Sequence, residues 1–247
     1  MTKIGIVGGV GWRSTVEYYS EICRRAEEWH RTKKLPGTPS MPEMVIESLN
    51  LARTCSLVGD DADEASWGQF DEYHRGAFLR LEAVGAEIAV MASNSPHHRF
   101  DAIVRGVGIP VISILDAAAK ECARIGAKRV LLLGTALTMR SAKFREAFAK
   151  HGIGLAAPTG EDTRAKTITL IAELQRGRVK GAAVRLARIV KAGWRSDDEP
   201  VVCLACTELP LALPGHSMHP SFKYGGVTYV NTSAAHIEAI LEWAGIQ

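Results

Sequence analysis

No apolar run in the 247 residues approaches the roughly 20 residues that a membrane-spanning helix requires, so a helical membrane protein is not expected. A leader is lacking too: Met1-Thr2-Lys3 runs straight into the strand-like Ile4-Gly5-Ile6-Val7, which argues against secretion. Charge of one sign is scarce. Thirty Lys and Arg against 27 Asp and Glu leave a formal net charge of +3. The basic residues are scattered, with no stripe interleaved with aromatics, so nucleic acid is not an expected partner. The five cysteines are an odd number, which argues against a disulfide framework and for reduced thiols in the cytoplasm. Cys203 and Cys206 form a CxxC without a second ligand pair. They stand three apart in a strand-like run, so their sulfurs point to opposite faces, unlike a zinc or redox pair. Clustered metal ligands and a pyridoxal lysine motif are also missing, so neither a metal nor a cofactor is expected. No repeat or low-complexity segment breaks the chain. What is there is an ordinary globular composition, 47% hydrophobic, long enough for one large domain or two small ones.

Apolar runs of strand length recur with helical stretches between them. They lie at 4–8, 44–49, 87–92 and 111–115, then at 130–134, 153–156, 201–204 and 227–230. Their continuous Val, Ile and Leu content fits strands buried on both faces of a parallel sheet. The helical period shows in Val16, Tyr19, Cys23, Ala26 and Trp29, and again in Trp67, Phe70, His74, Ala77, Leu81 and Val84. These stripes read as core, and His74 as a core-edge histidine with a satisfied ring. Alternation of this kind predicts an α/β, doubly wound architecture with right-handed crossovers. Two sets of four strands predict two similar domains: 1–112 with 213–247, and 113–212. Residues 30–42, 158–166 and 213–226 read as loops, the last returning the chain to the first domain.

Sites in such sheets form where loops leave the carboxyl ends of strands. Four segments qualify. Gly8-Gly9-Val10-Gly11 opens a helix, but Ser14 stands where G-x-G-x-x-G needs its last glycine, and no acidic residue ends the second strand suitably. The turn either offers helix N–H groups to a carboxylate or is simply tight. Ser93-Asn94-Ser95-Pro96-His97 ends an apolar strand in small polar residues. Asn94 and Ser95 can donate to a carboxylate, and His97 can orient a partner or cap a helix. Gly134-Thr135 ends the first strand of the second set. Cys206-Thr207-Glu208 ends its third. A thiol there, beside a helix N-terminus, is expected to be stabilised as thiolate and to act as a base near neutral pH.

These segments resemble landmarks of the bacterial aspartate/glutamate racemases, within the Asp/Glu/hydantoin racemase superfamily. Ile4-Gly5-Ile6-Val7-Gly8-Gly9-Val10-Gly11, with Ser14-Thr15 and Tyr18-Tyr19, looks like their opening. Ser93-Asn94-Ser95-Pro96-His97 is similar to their Cys-Asn-Thr-Ala-His motif, Leu133-Gly134-Thr135 with Thr138-Met139 to a third, and Cys206-Thr207-Glu208-Leu209 to a fourth. The set falls in order across nearly the whole chain. The resemblance implies two pseudo-symmetric, Rossmann- or flavodoxin-like domains, an acidic amino acid between them, and a homodimer. It also implies racemisation by two cysteines on opposite faces of the α-carbon, without pyridoxal or metal. Asn94, Ser95 and Thr207, with N–H groups near Val10 and Thr135, then hold the α-carboxylate.

The departure is Ser93, which stands where the family has its first cysteine. A hydroxyl is a poor base without an activator. Three readings stay open: an engineered Cys→Ser variant, a natural member with a hydroxyl there, and a relative such as a decarboxylase or an eliminating enzyme that needs one base. A binding protein that keeps the pocket without turnover is the rival from another class. A flavodoxin-like nucleotide binder is disfavoured by the glycine spacing. Arg53 and Arg176 stand near places where some members hold a distal carboxylate, yet each reads as a surface charge.

Overall fold

The computed structural model describes residues 2–213, 215 and 218–246. Its chain forms two compact units, one of Met1–Ser93, Arg99–Ser113 and Ile237–Gln247, the other of Asn94–His98 and Ile114–His236.

The first unit holds a parallel sheet of order β2-β1-β3-β4, made by β1 (Ile4–Gly8), β2 (Met44–Ser48), β3 (Ile88–Met91) and β4 (Val111–Ile112). Strands β1 and β3 are buried on both faces, which is why they read as unbroken apolar runs. Ile4 and Ile6 pack with Tyr18, Ile22 and Ala26 of α1 (Trp12–Thr32). Gly5 points the other way, where a Cβ would come within 3.0 Å of Leu81 on α3 (Gly68–Ala83), so glycine lets that helix close on the sheet. Two short helices, α2 (Leu51–Ser56) and α4 (Phe100–Ile103), complete this part.

The two helical stripes fare differently. On α3 the expected face is buried from Phe70 through Leu81, continuing Trp67 just before it, and only Val84 at the C-cap is exposed. His74 is fully buried and its Nδ1 donates to the Phe70 carbonyl at 2.8 Å. Its Nε2 has no partner among the described residues, so only half of the ring is satisfied there, and burial holds its pKa down. On α1 the expected stripe holds only at its C-terminal end, where Ala26 is buried and Trp29 packs against the core. Val16 and Tyr19 are 57% and 49% exposed, whereas Tyr18, Ile22 and Ala26 face the core. Both faces of α1 carry apolar residues, and periodicity alone does not choose between two apolar faces.

The second unit is built on a sheet of order β6-β5-β7-β9-β8. Its strands are β5 (Arg129–Gly134), β6 (Gly154–Ala156), β7 (Val201–Ala205), β8 (Ser221–Tyr224) and β9 (Val227–Asn231). All run parallel except β8. On one face Cys203, Val130 and Leu132 pack with α5 (Ile114–Arg124) and, through Phe144 and Phe148, with α7 (Ala142–Ala149). On the other, Leu131, Leu133, Leu204 and Cys206 pack with α8 (Glu161–Gln175) and α9 (Ala182–Gly193). The two sulfurs of the CxxC therefore enter different layers. Between β5 and α7 lies α6 (Ala136–Arg140), and α10 (Thr232–Trp243) follows β9.

The expected return of the chain at residue 213 is corrected here. Strand β9 pairs with β7, and β8 folds back on β9 through the hairpin Gly225-Gly226, at φ 58° and 75°, so these residues stay in the second unit. The return comes at Ile237, inside α10. A Gly-Gly pair between short β-rich runs is a hairpin signal, and here it turns the chain back into the sheet rather than out of the unit. Pro214, His216 and Ser217 of that loop lie outside the described residues. Residues 161–166, also expected in a loop, form the first turns of α8. Among the described residues no helix is long and apolar enough to cross a membrane.

Candidate active site

In the first unit, Val10 and Ser93 follow the neighbouring strands β1 and β3, paired at Val7 and Met91. The turn after β1 is fixed by Thr15, whose Oγ1 accepts the Gly9 N–H at 2.9 Å. A Cβ on Gly8 would lie 2.5 Å from that threonine. Gly9 has φ +84°, and a Cβ on it would stand 2.1 Å from the Leu49 carbonyl oxygen. Glycine is thus demanded twice over, by conformation and by space. Gly9→Ala is expected to destabilise the protein by about 2–4 kcal/mol, read from urea denaturation. A change below about 0.5 kcal/mol would show that the turn relaxes freely. Helix α1 then starts at Gly11 with no side-chain cap and no acidic residue in its first turn. Ser93 is half-buried, and its N–H donates to the Met91 carbonyl at 2.8 Å.

The second unit gathers the other five residues expected at the site. Strands β5 and β7 are neighbours, paired at Gly134 and Ala205, so Thr135 and Cys206 leave adjacent strand ends. Thr135 Oγ1 caps α6 by accepting the Thr138 N–H. It also lies 2.8 Å from Ser95 Oγ and 3.1 Å from Thr138 Oγ1, which makes a cluster of three hydroxyls. Gly134 is needed because a Cβ there would meet the Ala205 carbonyl at 2.7 Å and Thr138 at 2.8 Å. This mirrors the packing of Gly8 on Thr15 in the first unit.

Asn94 opens this arrangement. It is 3% exposed, and neither Oδ1 nor Nδ2 of its amide has a hydrogen-bond partner among the described residues. A buried amide without partners costs about 1–3 kcal/mol. Such an expense is tolerated where a ligand completes the bonds. An amino acid suits it, since the amide offers a donor to a carboxylate and an acceptor to an ammonium.

Cys206 sits just beyond β7, 6% exposed. Its Sγ donates to Glu208 Oε2 at 3.0 Å, and the Thr207 hydroxyl donates to the same oxygen at 3.1 Å. Burial, then the charge of Glu208 and the thiol's bond to it, push the thiol pKa well above its ordinary value, while the Glu208 and Thr207 N–H groups pull more weakly the other way. The expectation of a thiolate stabilised by a helix N-terminus is therefore corrected. The residues after Glu208 make only a 3-10 turn, Leu209–Ala212, and the nearest charge is an anion. At rest Cys206 is a thiol held by a carboxylate.

The structure thus collects Asn94, Ser95, Thr135, Cys206 and Thr207 in one unit, and places Val10 and Ser93 in the other. Glu208 and Thr138 were quoted in motifs but given no role. Contiguity of Cys, Thr and Glu was the available signal for the first, and the i+3 spacing of two threonines after a strand for the second. His97 takes the capping role: it is fully buried, and its Nε2 accepts the Ile114 N–H at the start of α5. Arg53 and Arg176 are exposed, the former stacked 4.4 Å over the Tyr73 ring.

The same order of segments is matched by a family model, Asp/Glu/hydantoin racemase, over residues 7–240. The chain belongs to that family. A racemase-family structure from Pyrococcus horikoshii OT3, described as an aspartate racemase homologue, shares 30% identity over 99% of this chain and 100% of its own, with a TM-score of 0.75. A putative Asp/Glu racemase from Yersinia pestis shares 25% over 99% of each chain, at 0.79. The aspartate racemase of Picrophilus torridus shares the fold, with 19% identity over 99% of this chain and 95% of its own, at 0.71. This chain has the family's two-sheet α/β fold, with Cys206 just beyond β7 and Ser93 just beyond β3.

Proposed function

We propose that the chain is a pyridoxal-independent racemase of an acidic amino acid, in which Cys206 moves the proton on one face of the α-carbon and Ser93 occupies the other. The observation that carries this reading is the Cys206 thiol bonded to the buried Glu208 carboxylate, in a chain of this family. The pair works in both directions. When a base on the Ser93 side has taken the α-proton from the far face, the Cys206 thiol donates its proton to the resulting carbanion, and the thiolate regains a proton from solvent through Glu208. In reverse, the thiol proton passes to Glu208, and the resulting thiolate takes the α-proton. Negative charge builds on the α-carboxylate when the α-proton is removed and leaves it when the carbon is protonated. Asn94, the hydroxyls of Ser95, Thr135 and Thr207, and N–H groups near Val10 and Thr135 would hold that carboxylate. Fixed donors aimed at developing charge are the largest usual contribution to such a step.

The reading requires Ser93 and Cys206 to address opposite faces of one carbon, each about 3–3.5 Å from its target. The direct test is exchange of the α-proton in deuterated water, run separately on each enantiomer of aspartate and glutamate. Exchange is expected readily from one enantiomer and slowly from its mirror image, because the thiol serves one face only. A second reading is favoured by Ser93 itself: a protein that binds an amino acid and does not turn it over. Binding with no exchange from any of the four compounds would select it.

Glu208 has its own signature. Glu208→Gln removes a carboxylate whose charge and hydrogen bond raise the Cys206 pKa. The variant's thiol is therefore expected to ionise at lower pH than the parent's, as measured by the pH dependence of Cys206 alkylation. Burial keeps it above the ordinary range, since burial is the largest cause of the shift. A move to higher pH would show instead that Glu208 assists deprotonation at rest.

A further inference from the structure

The outer layer of the second unit holds a groove that the chemistry above does not use. It lies between α8 and α9 and encloses about 330 Å³. Leu170 and Ile189 form its floor, and Arg185, Arg188, Glu173 and Thr169 stand among its walls. Its polar groups are poorly matched to one another. Arg185 Nη2 faces Glu173 Oε2 at 3.2 Å, yet Arg185 Nε is buried without a hydrogen-bond partner among the described residues. Arg188 makes no hydrogen bond or ion pair among the described residues. An apolar floor beneath an orphaned guanidinium N–H and an uncommitted guanidinium matches a ligand with an apolar body and an anionic head.

The head should be a monoanion. A planar carboxylate fits the guanidinium fork, whereas a phosphate dianion would also confront Glu173 beside Arg185. The floor gives the groove a route inward. Leu170 and Ile189 belong to the same buried cluster as Leu209, Ala212 and Cys206, and both α8 and α9 pack on the 3-10 turn Leu209–Ala212 that follows Glu208. A ligand that ties α8 to α9 stiffens the support of the Cys206 loop.

We propose that this groove is an effector site for a small amphipathic monocarboxylate, coupled through the Leu209–Ala212 turn to Cys206. The proposal stands apart from the racemase reading, since its test observes the groove and the thiol rather than turnover. Hexanoate is the probe and inorganic phosphate the comparison, on the full chain with methyl-labelled Leu and Ile. Hexanoate should shift the Leu170 and Ile189 methyl resonances saturably, and phosphate should not. Arg188→Glu should weaken that binding about tenfold or more, while Cys206→Ala should leave it in place, which separates the groove from the candidate active site. Saturating hexanoate should slow alkylation of Cys206, followed by peptide mass spectrometry, about fivefold, within the ordinary range of coupling between sites. Absence of a saturable methyl shift, equal binding by Arg188→Glu, or equal shifts with phosphate would each overturn the site. Saturation with no change in the alkylation rate would overturn the coupling. Melting curves of Arg188→Glu identical to the parent's confirm that lost binding is not lost fold, and Arg188→Lys, which keeps charge without the fork, should bind at an intermediate level.

Discussion

Cys206→Ala is expected to reduce α-proton exchange from the enantiomer whose α-proton faces the thiol by about 10²–10⁴-fold, the usual worth of a positioned acid or base. The chain's other thiols offer no substitute. Cys203 enters the opposite layer of the sheet and is fully buried, with its pKa pushed up by that burial. Cys122 lies in the same layer, and burial pushes its pKa up to about 12. Cys23 and Cys55 are in the first unit, on α1 and α2, away from the strand ends. Loss of the sulfur removes the acid for one direction of inversion and the base for the other, so inversion should fall in both directions. The fold should persist, because alanine leaves only a small void at the margin of the cluster. A variant that is folded and exchanges at the parent's rate would place the chemistry elsewhere. Substrate binding should survive, since the groups assigned to the carboxylate are untouched, and this separates a lost proton carrier from a lost pocket.

Much of this arrangement was legible before any coordinates. All eight expected strands exist, although β4 ends at Ile112 and the rest of its run opens α5; β1, β3, β5 and β7, largely buried on both faces, announce themselves as apolar runs. The rule that sites gather at carboxyl strand ends picks out four segments, and only at such an end does a run such as 88–91 give way abruptly to Ser93-Asn94-Ser95. What stayed hidden depends on relations between distant residues. Strand β8 is only four residues long, with Phe222 and Lys223 as unlike neighbours, and only its pairing with β9 makes it a strand. The phase of the N-terminal part of α1 was lost because Trp12, Val16 and Tyr19 make an apolar stripe on the exposed side. The state of Cys206 was inverted because a sequence shows that Glu208 is two residues away but not that its carboxylate turns back onto the sulfur. The orphaned amide of Asn94 is likewise a property of surroundings.

The second large effect is expected at Ser93. If the reaction is a two-base racemisation, Ser93→Cys should raise the rate of inversion by about 10²–10⁴-fold. The change is nearly isosteric and the position is half-buried, so packing is disturbed little. A neutral hydroxyl competes poorly with a thiolate near neutral pH. The parent should therefore be asymmetric: Cys206 exchanges the α-proton of one enantiomer with little inversion, and the other enantiomer binds but exchanges slowly. With a thiol on each face, a proton taken by one sulfur can be replaced from the other, and exchange becomes inversion. The measurement is the ratio of deuterium incorporation to change in optical rotation, for parent and variant, on each enantiomer of aspartate and glutamate. In the parent, incorporation should run far ahead of inversion; in Ser93→Cys the two should converge. Fast and equal racemisation of both enantiomers by the parent would mean that Ser93 is already an activated base. His97 would not then be its activator through Nε2, which is engaged by the Ile114 N–H at 3.2 Å. No gain in Ser93→Cys on any substrate would select a one-base reaction or a protein that binds without turnover, and the exchange data on the parent would tell these two apart.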